Sequence, residues 1–325
     1  MKFGVGLPTY ADSKSRLSPY RLQQYVKKAE KLGYSCGWMG EHIVQPPHYG
    51  YLRSEPLTTL SALAGMTDDL EFGTAVLLLP LRHPVHVAKS VANIQYLADR
   101  RFNVGVGLGH IQSDFDAVNV DKSERSERYW EGLRLLYRLL NEDKVTFEGE
   151  YYDVEDITIE PNLGQPPRIL VGGGGVNRNG ERFVPKRVKE RLLHADGWVV
   201  SSGFNREMAI QDWEEMATYL EAQGRDRNNF DKIAQYRTYL VPGVDSDIAI
   251  QKQAKRFRDV IGENREMSYA QERYGFGTIE DIREDIAKYE DAGFDQVIMK
   301  PATFNFNELI TQLEAIKEYI YDEFQ

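Results

Sequence analysis

Two apolar runs joined by a helical segment decide the fold. They are LEFGTAVLLLPLRHP at residues 70–84 and FNVGVGLGHIQSDF at residues 102–115, with VHVAKSVANIQYLADR between them. Neither run alternates apolar with polar residues, so each predicts a strand that is buried on both faces. Buried strands separated by a helix are typical of a parallel sheet that is covered by helices.

Glycines interrupt both runs. Gly73 lies in the first run, and Gly105, Gly107 and Gly109 lie in the second. A backbone without Cβ lets another group come close. We therefore expect a flat or phosphorylated ligand to approach the chain at both places, with Gly107 and Gly109 binding a cofactor.

The same alternation of strand and helix continues along the whole chain. Apolar strands are predicted near residues 3, 36, 73, 104, 169, 198, 238 and 297, with helical stretches between them. Eight βα units favour a closed (β/α)8 TIM barrel over an open doubly wound sheet, which stays the alternative. We expect residues 1–325 to form one domain, with insertions at its C-terminal face near residues 110–125, 141–165 and 243–278.

Composition excludes several classes of protein. The 325 residues carry a formal net charge of -10 and one cysteine, Cys36. An acidic chain does not fit nucleic acid or an anionic membrane surface, which both favour basic patches. The lone cysteine excludes an internal disulfide and fits a reducing cytoplasm. No apolar run is long enough to span a bilayer, so we expect a cytoplasmic protein.

Active sites of such barrels lie at the C-terminal ends of the strands. That rule selects two histidines. His42 follows the second strand, where an imidazole can exchange a proton with a substrate near neutral pH; the alternative is a structural histidine. His110 follows the fourth strand and either contacts a ring or substrate or caps the next segment. Glu41 points away from the mouth and is expected to anchor a neighbouring unit. The same rule selects Ser201, Ser202 and Lys300.

A run of glycines ends the fifth strand. Its members are Gly172, Gly173, Gly174 and Gly175, followed by Val176. Their N–H groups can wrap a phosphate, aided by the dipole of a helix that we expect to follow directly; the alternative is a mobile loop. The pattern lacks the G-x-G-x-x-G spacing of dinucleotide sites. The basic residues of segment 182–191 alternate with acids and are interpreted as a solvated face; the alternative is that they attract an acidic cofactor tail.

Other chemistries find little support in the sequence. His83 and His86 begin a helix and are interpreted as packing or capping groups, and with His48 they lack metal-ligand spacing. No G-x-S-x-G nucleophile elbow is present. Candidate aromatic walls for the mouth are Tyr10, Tyr49, Tyr51, Tyr274 and Phe276.

Several ordered motifs give the chain a family resemblance. They are GWMGEH, EPLTTLSALAGMT, the stretch from FGTAV to VGVGLG, FEGEYYDV, RILVGGGG and HADGW. With these the chain resembles the bacterial-luciferase-like flavin and deazaflavin oxidoreductases, and within them the F420-dependent group. The resemblance is close over about the first 200 residues and looser beyond them.

The resemblance implies a barrel that binds F420 or FMN at its C-terminal mouth. It implies a cis peptide bond between Ala75 and Val76 beneath the ring, a phosphate held by residues 172–176, and His42 as the active-site histidine. His110 stands where sugar-phosphate dehydrogenases of the family have an acidic proton donor. Gly107 and Leu108 stand where bacterial luciferase has cysteine and arginine, so neither sugar-phosphate oxidation nor light emission is expected.

The prediction is therefore a flavin- or deazaflavin-dependent oxidoreductase or monooxygenase acting on a small organic substrate. F420 is favoured over FMN by the RHP-containing segment, and FMN would require a separate flavin reductase as partner. A homodimer is expected from the family. The alternatives are a flavin-binding barrel without turnover, and a metal-free lyase or isomerase that uses His42 and His110.

Overall fold

The apolar runs predicted as strands form a closed parallel barrel. A computed structural model describes residues 1–8, 17–44, 54–99, 102–162, 164–261 and 266–324. The barrel strands are β1 (Lys2–Gly6), β2 (Cys36–Met39), β3 (Glu71–Leu78), β4 (Phe102–Gly107), β7 (Arg168–Gly173), β10 (Gly197–Val200), β11 (Asp231–Thr238) and β12 (Gln296–Pro301). Two antiparallel hairpins pair β5 (Val145–Phe147) with β6 (Val154–Ile157), and β8 (Val176–Arg178) with β9 (Glu181–Phe183). Around the barrel the order is β1, β12, β11, β10, β7, β4, β3, β2, which confirms the (β/α)8 fold.

Helices lie between the barrel strands. They are α1 (Pro19–Lys31), α2 (Pro56–Ala64), α3 (Pro84–Ala98), α4 (Gln112–Asp116), α5 (Arg125–Asn141), α6 (Lys186–Arg191), α7 (Arg206–Ala222), α8 (Ser246–Ile261), α9 (Met267–Arg273), α10 (Ile279–Asp291) and α11 (Phe306–Tyr319). Ser18 caps α1 by accepting the Arg21 N–H at 3.3 Å, and Pro19 occupies the first turn, where no N–H is needed.

The barrel interior holds its own apolar cluster, separate from the larger core between strands and helices. Trp38 of β2 lies across this interior. A Cβ at Gly4 would stand 2.5 Å from Trp38 Nε1, and one at Gly73 would stand 2.6 Å from Trp38 Cζ3. Small residues on β1 and β3 therefore make room for the indole, which forms the floor beneath the mouth.

The three segments that were predicted as insertions contain short helices and a hairpin. Segment 110–125 contains α4, segment 141–165 contains the β5–β6 hairpin, and segment 243–278 contains α8 and α9. Segments 110–125 and 243–278 follow β4 and β11, so they leave the C-terminal ends of barrel strands, where the site is expected. Segment 141–165 follows α5 instead.

Candidate active site

A buried contact at the barrel mouth joins His42 to Asp114. His42 follows β2, and its Nδ1 lies 2.8 Å from Asp114 Oδ2. Asp114 Oδ1 accepts the backbone N–H groups of Ile43 and Val44 at 2.8 and 3.1 Å. The side chains of His42 and Asp114 are only 8% and 1% exposed. One carboxylate therefore fixes both the imidazole and the loop that carries it.

Asp114 was not predicted from the sequence, which pointed only to His110 after β4. Gly109, with φ of 74°, turns the chain after β4, and α4 then carries Asp114 inward beside the fully buried Phe115. The ring of His110 lies edge-on to that of His42, with centroids 6.5 Å apart. The structure thus brings the two predicted histidines together. An acidic residue, Asp114, therefore does follow the fourth strand. The sequence feature that could have indicated it is an aspartate next to an apolar residue in a short helix.

Glu41 anchors the third βα unit, as predicted. Its Oε2 accepts the Leu78 N–H at 2.6 Å, and its Oε1 accepts Arg82 Nε–H at 3.0 Å. Arg82 also donates to Glu55 Oε1 at 2.7 Å. Burial raises the pKa of Glu41, although Arg82 and the Leu78 N–H both favour its charged form. Arg82 of the RHP segment is therefore part of the scaffold behind the mouth.

The peptide bond between Ala75 and Val76 is cis, as the resemblance implied. The register of β3 against β4 shifts across this segment. The Glu41 N–H donates to the Val76 carbonyl at 3.2 Å, so the segment lies directly beside the residue that precedes His42. The expected place of a ring above it stays a prediction.

The glycines of β3 and β4 are approached closely by the protein's own groups. At Gly73 the neighbour is the indole described above. A Cβ at Gly105 would lie 2.0 Å from the Thr74 carbonyl oxygen, and one at Gly107 would lie 2.3 Å from Val76 Cγ2. Cofactor contact at Gly107, as at Gly109, stays a prediction.

The glycine run at residues 172–175 contains one position that faces open space. At Gly173 φ is 127°, and no described atom outside its neighbours lies within 4 Å of where a Cβ would be. Trp198 Nε1 donates to the Gly173 carbonyl at 2.8 Å. Since a trans peptide points C=O and N–H in opposite directions, the Gly174 N–H faces away from Trp198. This arrangement fits a phosphate held by backbone N–H groups. Val176 follows as an exposed residue.

A buried ion pair holds the rest of that run. Asp212 accepts the Gly175 N–H at 2.6 Å and the Arg182 Nε and Nη2 groups at 2.8 and 2.7 Å. The Arg182 guanidinium also lies over the Phe204 ring, 4.4 Å from its centroid. A Cβ at Gly174 would come 2.5 Å from Phe204, and one at Gly175 would come 2.4 Å from Asp212. Close packing therefore explains these two glycines.

Two expectations about the chain after the glycine run are wrong. The β8–β9 hairpin separates the run from α6, so no helix begins directly after the glycines. The basic residues beyond are not a uniformly solvated face, because Arg182 is only 10% exposed and Arg191 only 5%, while Lys186 is 84% exposed. Arg191 donates to Ser126 Oγ at 3.1 Å, and burial lowers its pKa.

A pocket opens inside the mouth, with Ala75 and Ser202 in its wall. Lys300, selected by its position, lines this pocket and bonds Gln235 Oε1. Arg237 lines it too. Gln235 and Arg237 were not predicted as site residues. Their alternation with buried residues in β11 could have indicated that they face the barrel interior, because every second residue of a barrel strand does so.

Of the two helix-end histidines, His83 caps α3 and His86 lies against its ring. His83 Nδ1 accepts the Val85 N–H at the start of α3, at 3.3 Å. Burial and the neighbouring His86 lower the pKa of His83, which keeps the ring neutral and able to accept. The two rings lie 6.0 Å apart, edge to face.

The proposed aromatic walls fall into two groups. Tyr10, Tyr49 and Tyr51 lie outside the described residues, as does His48. Tyr274 and Phe276 stack on the Phe257 ring at 5.3 and 4.6 Å. These two aromatic residues therefore pack against α8.

Metal clusters and membrane-spanning helices are both absent from the part of the chain that the structure describes. No group of three His, Cys, Asp or Glu residues there could hold a metal ion. No helix in those ranges is long and apolar enough to cross a membrane.

The sequence and the fold are those of a known family. A model of the luciferase-like monooxygenase family matches residues 1–296. The chain belongs to the luciferase-like monooxygenase family, which confirms the resemblance seen in its motifs.

Individual relatives are more distant. An F420-dependent glucose-6-phosphate dehydrogenase of Kineococcus radiotolerans is 29% identical over 233 residues, which cover 70% of this chain and 66% of that protein. An F420-dependent secondary alcohol dehydrogenase, solved with an F420–acetone adduct, superposes with a TM-score of 0.78 at 18% identity over 99% of both chains. The oxygenating constituent of 3,6-diketocamphane monooxygenase from Pseudomonas putida, solved with FMN, superposes with a TM-score of 0.73 at 15% identity over 99% of this chain and 98% of that one. Both structures show the same fold.

Proposed function

We propose that the protein is an oxidoreductase that uses F420 and transfers a hydride to or from a small organic substrate. The His42–Asp114 pair carries this proposal, because it holds an imidazole at the mouth of the barrel beside the segment that contains the cis bond. The F420-dependent relative and the F420-dependent structural neighbour support the choice of cofactor.

Asp114 gives the imidazole of His42 a defined tautomer. A carboxylate accepts hydrogen bonds, so Nδ1 carries the proton, and Nε2 is the nitrogen that exchanges a proton with the substrate. A substrate hydroxyl loses its proton to Nε2 when its carbon is oxidised, and the imidazolium returns a proton in the reverse direction. Asp114 stabilises that imidazolium through Nδ1.

The mouth fits a planar cofactor with a phosphate. F420 supplies the hydride chemistry at its ring when it is bound. The open position at Gly173 and the Gly174 N–H would hold the phosphate, while Ala75 and Val76 would line the ring. Asp212 and Arg182 keep the glycine run in shape for that contact.

FMN is the second candidate, favoured by the FMN-bound monooxygenase of the same fold. It shares the planar ring and the phosphate, so the open position at Gly173 fits either cofactor. An FMN enzyme would consume O2 and would take reduced flavin from a separate reductase.

A competition titration tests both cofactors. Purified protein is titrated with F420 and with FMN, and cofactor fluorescence reports binding. We expect saturable binding with F420 bound more tightly. Failure of both to bind at tens of micromolar would remove the proposal.

Two substitutions separate an enzyme from a binding protein without turnover. Substrates are first found by screening alcohols and sugar phosphates for loss of F420 absorbance. His42→Ala is expected to lower turnover by about 10²–10⁴-fold while F420 affinity stays within about threefold. Asp114→Asn is expected to lower turnover by a smaller factor and to shift its pH profile. A His42→Ala protein with unchanged turnover contradicts the assignment.

The remaining predictions concern the domain count, the oligomeric state, the location and the role of His110. A single domain over residues 1–325, a homodimer and a cytoplasmic location stay predictions from the sequence and the family. His110, 6.5 Å from His42 between ring centroids, is proposed to contact the substrate or the ring.

A further inference from the structure

The wall of the mouth pocket formed by β11 and β12 carries two cations side by side. Arg237 and Lys300 are register partners in adjacent parallel strands, and both line the pocket. Neighbouring strands lie about 4.8 Å apart. The two side chains therefore reach the same small volume.

Neighbouring residues place the lysine stem in that volume. A Cβ at Gly6 would lie 2.8 Å from Lys300 Cγ, so glycine on β1 makes room for the stem. Gln235, one inward-facing position below Arg237, accepts from Lys300 Nζ and donates to the Val200 carbonyl at 2.6 Å. The ammonium group is thus supported from the strand beside it.

The charge of this wall is opposite to that of the protein. The chain has a formal net charge of -10, yet the charged residues among those described in the pocket lining are Arg237 and Lys300. Ser202 adds a hydroxyl group to the lining, whereas the Thr303 hydroxyl donates to Glu308 Oε2 at 2.6 Å. Two cations and the Ser202 hydroxyl around one opening are donors of the kind that carboxylates and phosphates prefer.

The cationic wall faces the proposed chemistry. In the barrel order β12 lies opposite β4 and β11 lies opposite β3. Ala75 of β3 lines the same pocket, and Asp114 with His42 lies at the β4 and β2 side. A molecule in the pocket would have one end at the cations and the other at Gly40 and Ala75, on the side of the mouth that carries His42.

We infer that Arg237 and Lys300 bind an anionic group, a carboxylate or a phosphate, on the substrate. This inference rests on the proposed function, because it treats the bound anion as part of the substrate. The place proposed for the cofactor phosphate is a different one, at Gly173 on β7. The substrate class is thus a small organic acid or phosphate ester whose reacting carbon lies at the His42 end.

Calorimetric titration tests the site with simple anions. Sodium phosphate and sodium acetate are titrated at constant ionic strength into cofactor-free protein and into F420-saturated protein. The variants are Lys300→Met and Arg237→Met, which keep an apolar stem. Their controls are Lys252→Met and Arg258→Met, which remove exposed cations of α8. The two anions distinguish a phosphate site from a carboxylate site.

Each pocket variant is expected to weaken phosphate or acetate binding by about tenfold or more, the value of a lost charged hydrogen bond, in both forms of the protein. The controls should match the unmodified chain. Lys300→Arg should retain binding. On the unmodified chain, phosphate should also protect Lys300 from acetic anhydride in a mass-spectrometric map, which needs no variant to fold.

Three results would overturn the inference. The first is no binding of either anion up to tens of millimolar, and the second is binding that neither pocket variant weakens. The third is competition between phosphate and F420 that the pocket variants abolish, because the cations would then serve the cofactor. If F420 itself fails to bind, the cofactor-free titrations still decide the anion site.

Discussion

The glycine-rich ends of β4 and β7 look alike in sequence but differ in what occupies the space beside them. At β4 the missing Cβ atoms make way for the protein, since Gly105 meets Thr74 and Gly107 meets Val76. At β7 the Gly173 position opens onto free space with φ of 127°. Glycine at β4 thus permits close packing, whereas Gly173 permits an unusual backbone conformation and leaves room for a ligand.

One side chain links the two strand ends. Val76 Cγ2 occupies the space beside Gly107, and its Cγ1 would lie 2.8 Å from a Cβ at Gly172. The segment with the shifted register in β3 therefore packs into both β4 and β7. Glycines at these two positions allow the mouth of the barrel to be built around Val76, and open space begins at the next residue, Gly173.

The largest effect is expected at Gly105. In Gly105→Ala the new Cβ would stand 2.0 Å from the Thr74 carbonyl oxygen, and backbone cannot rotate away as a side chain can. We expect the free energy of unfolding to fall by about 3 kcal/mol or more, measured as a lower urea midpoint by circular dichroism.

Gly65→Ala is the matched control for that substitution. Gly65 ends α2, has φ of -79°, and has no described atom within 4 Å of a Cβ position. Its midpoint should change little. Equal midpoints for the Gly105 and Gly65 variants would show that packing does not explain the glycine in β4.

Much of the fold could be predicted because burial and spacing act locally along the chain. Runs of apolar residues set the strands, and the Ser18–Pro19 pair sets the start of α1 by the same capping rule that the structure shows. The β8–β9 hairpin was missed because two three-residue strands leave too short a pattern. The groups that pack beside Gly105 and Gly107 could not be predicted from the sequence, because they come from β3, some thirty residues earlier.

A second substitution tests the contact between β3 and β4 directly. Gly107→Ala places a Cβ 2.3 Å from Val76 Cγ2, and we expect a loss of about 2 kcal/mol. Val76→Ala removes the obstructing methyl groups, so the double variant should lose less than the sum of the single variants, with a coupling of about 1 kcal/mol. Urea midpoints of all four proteins give the cycle. Simple additivity would mean that the two residues do not compete for space.

The candidate site was predictable only where a position rule could be applied. His42, His110 and Lys300 follow from the ends of strands, and the structure places the two histidines together. Asp114 could not be assigned, since its meeting with His42 spans seventy-two residues and depends on the turn at Gly109. Arg237 could not be assigned to the pocket from the sequence, because the side of β11 that faces inward is fixed only when the barrel closes.

The smallest loss of stability, and the sharpest functional contrast, is expected at Gly173. Alanine there meets no described atom, but it must adopt a φ of 127°, which costs about 1 kcal/mol or somewhat more. Its Cβ would also enter the space assigned to the cofactor phosphate. We expect F420 affinity to fall about tenfold through a lost backbone contact, measured by fluorescence titration.

Gly180→Ala supplies the control for Gly173→Ala, because Gly180 also has positive φ, at 83°, and open space around it. It lies in the turn between β8 and β9, away from the glycine run. Both variants place alanine at a positive φ, and the Gly180 variant should lose less stability, because 83° lies nearer the left-handed region that other residues can adopt. Only the Gly173 variant should lose F420 affinity, since only there would a Cβ compete with the phosphate. Equal F420 affinities in the two variants would mean that the space beside Gly173 is not the phosphate site, and that the contrast between β4 and β7 is one of backbone conformation alone.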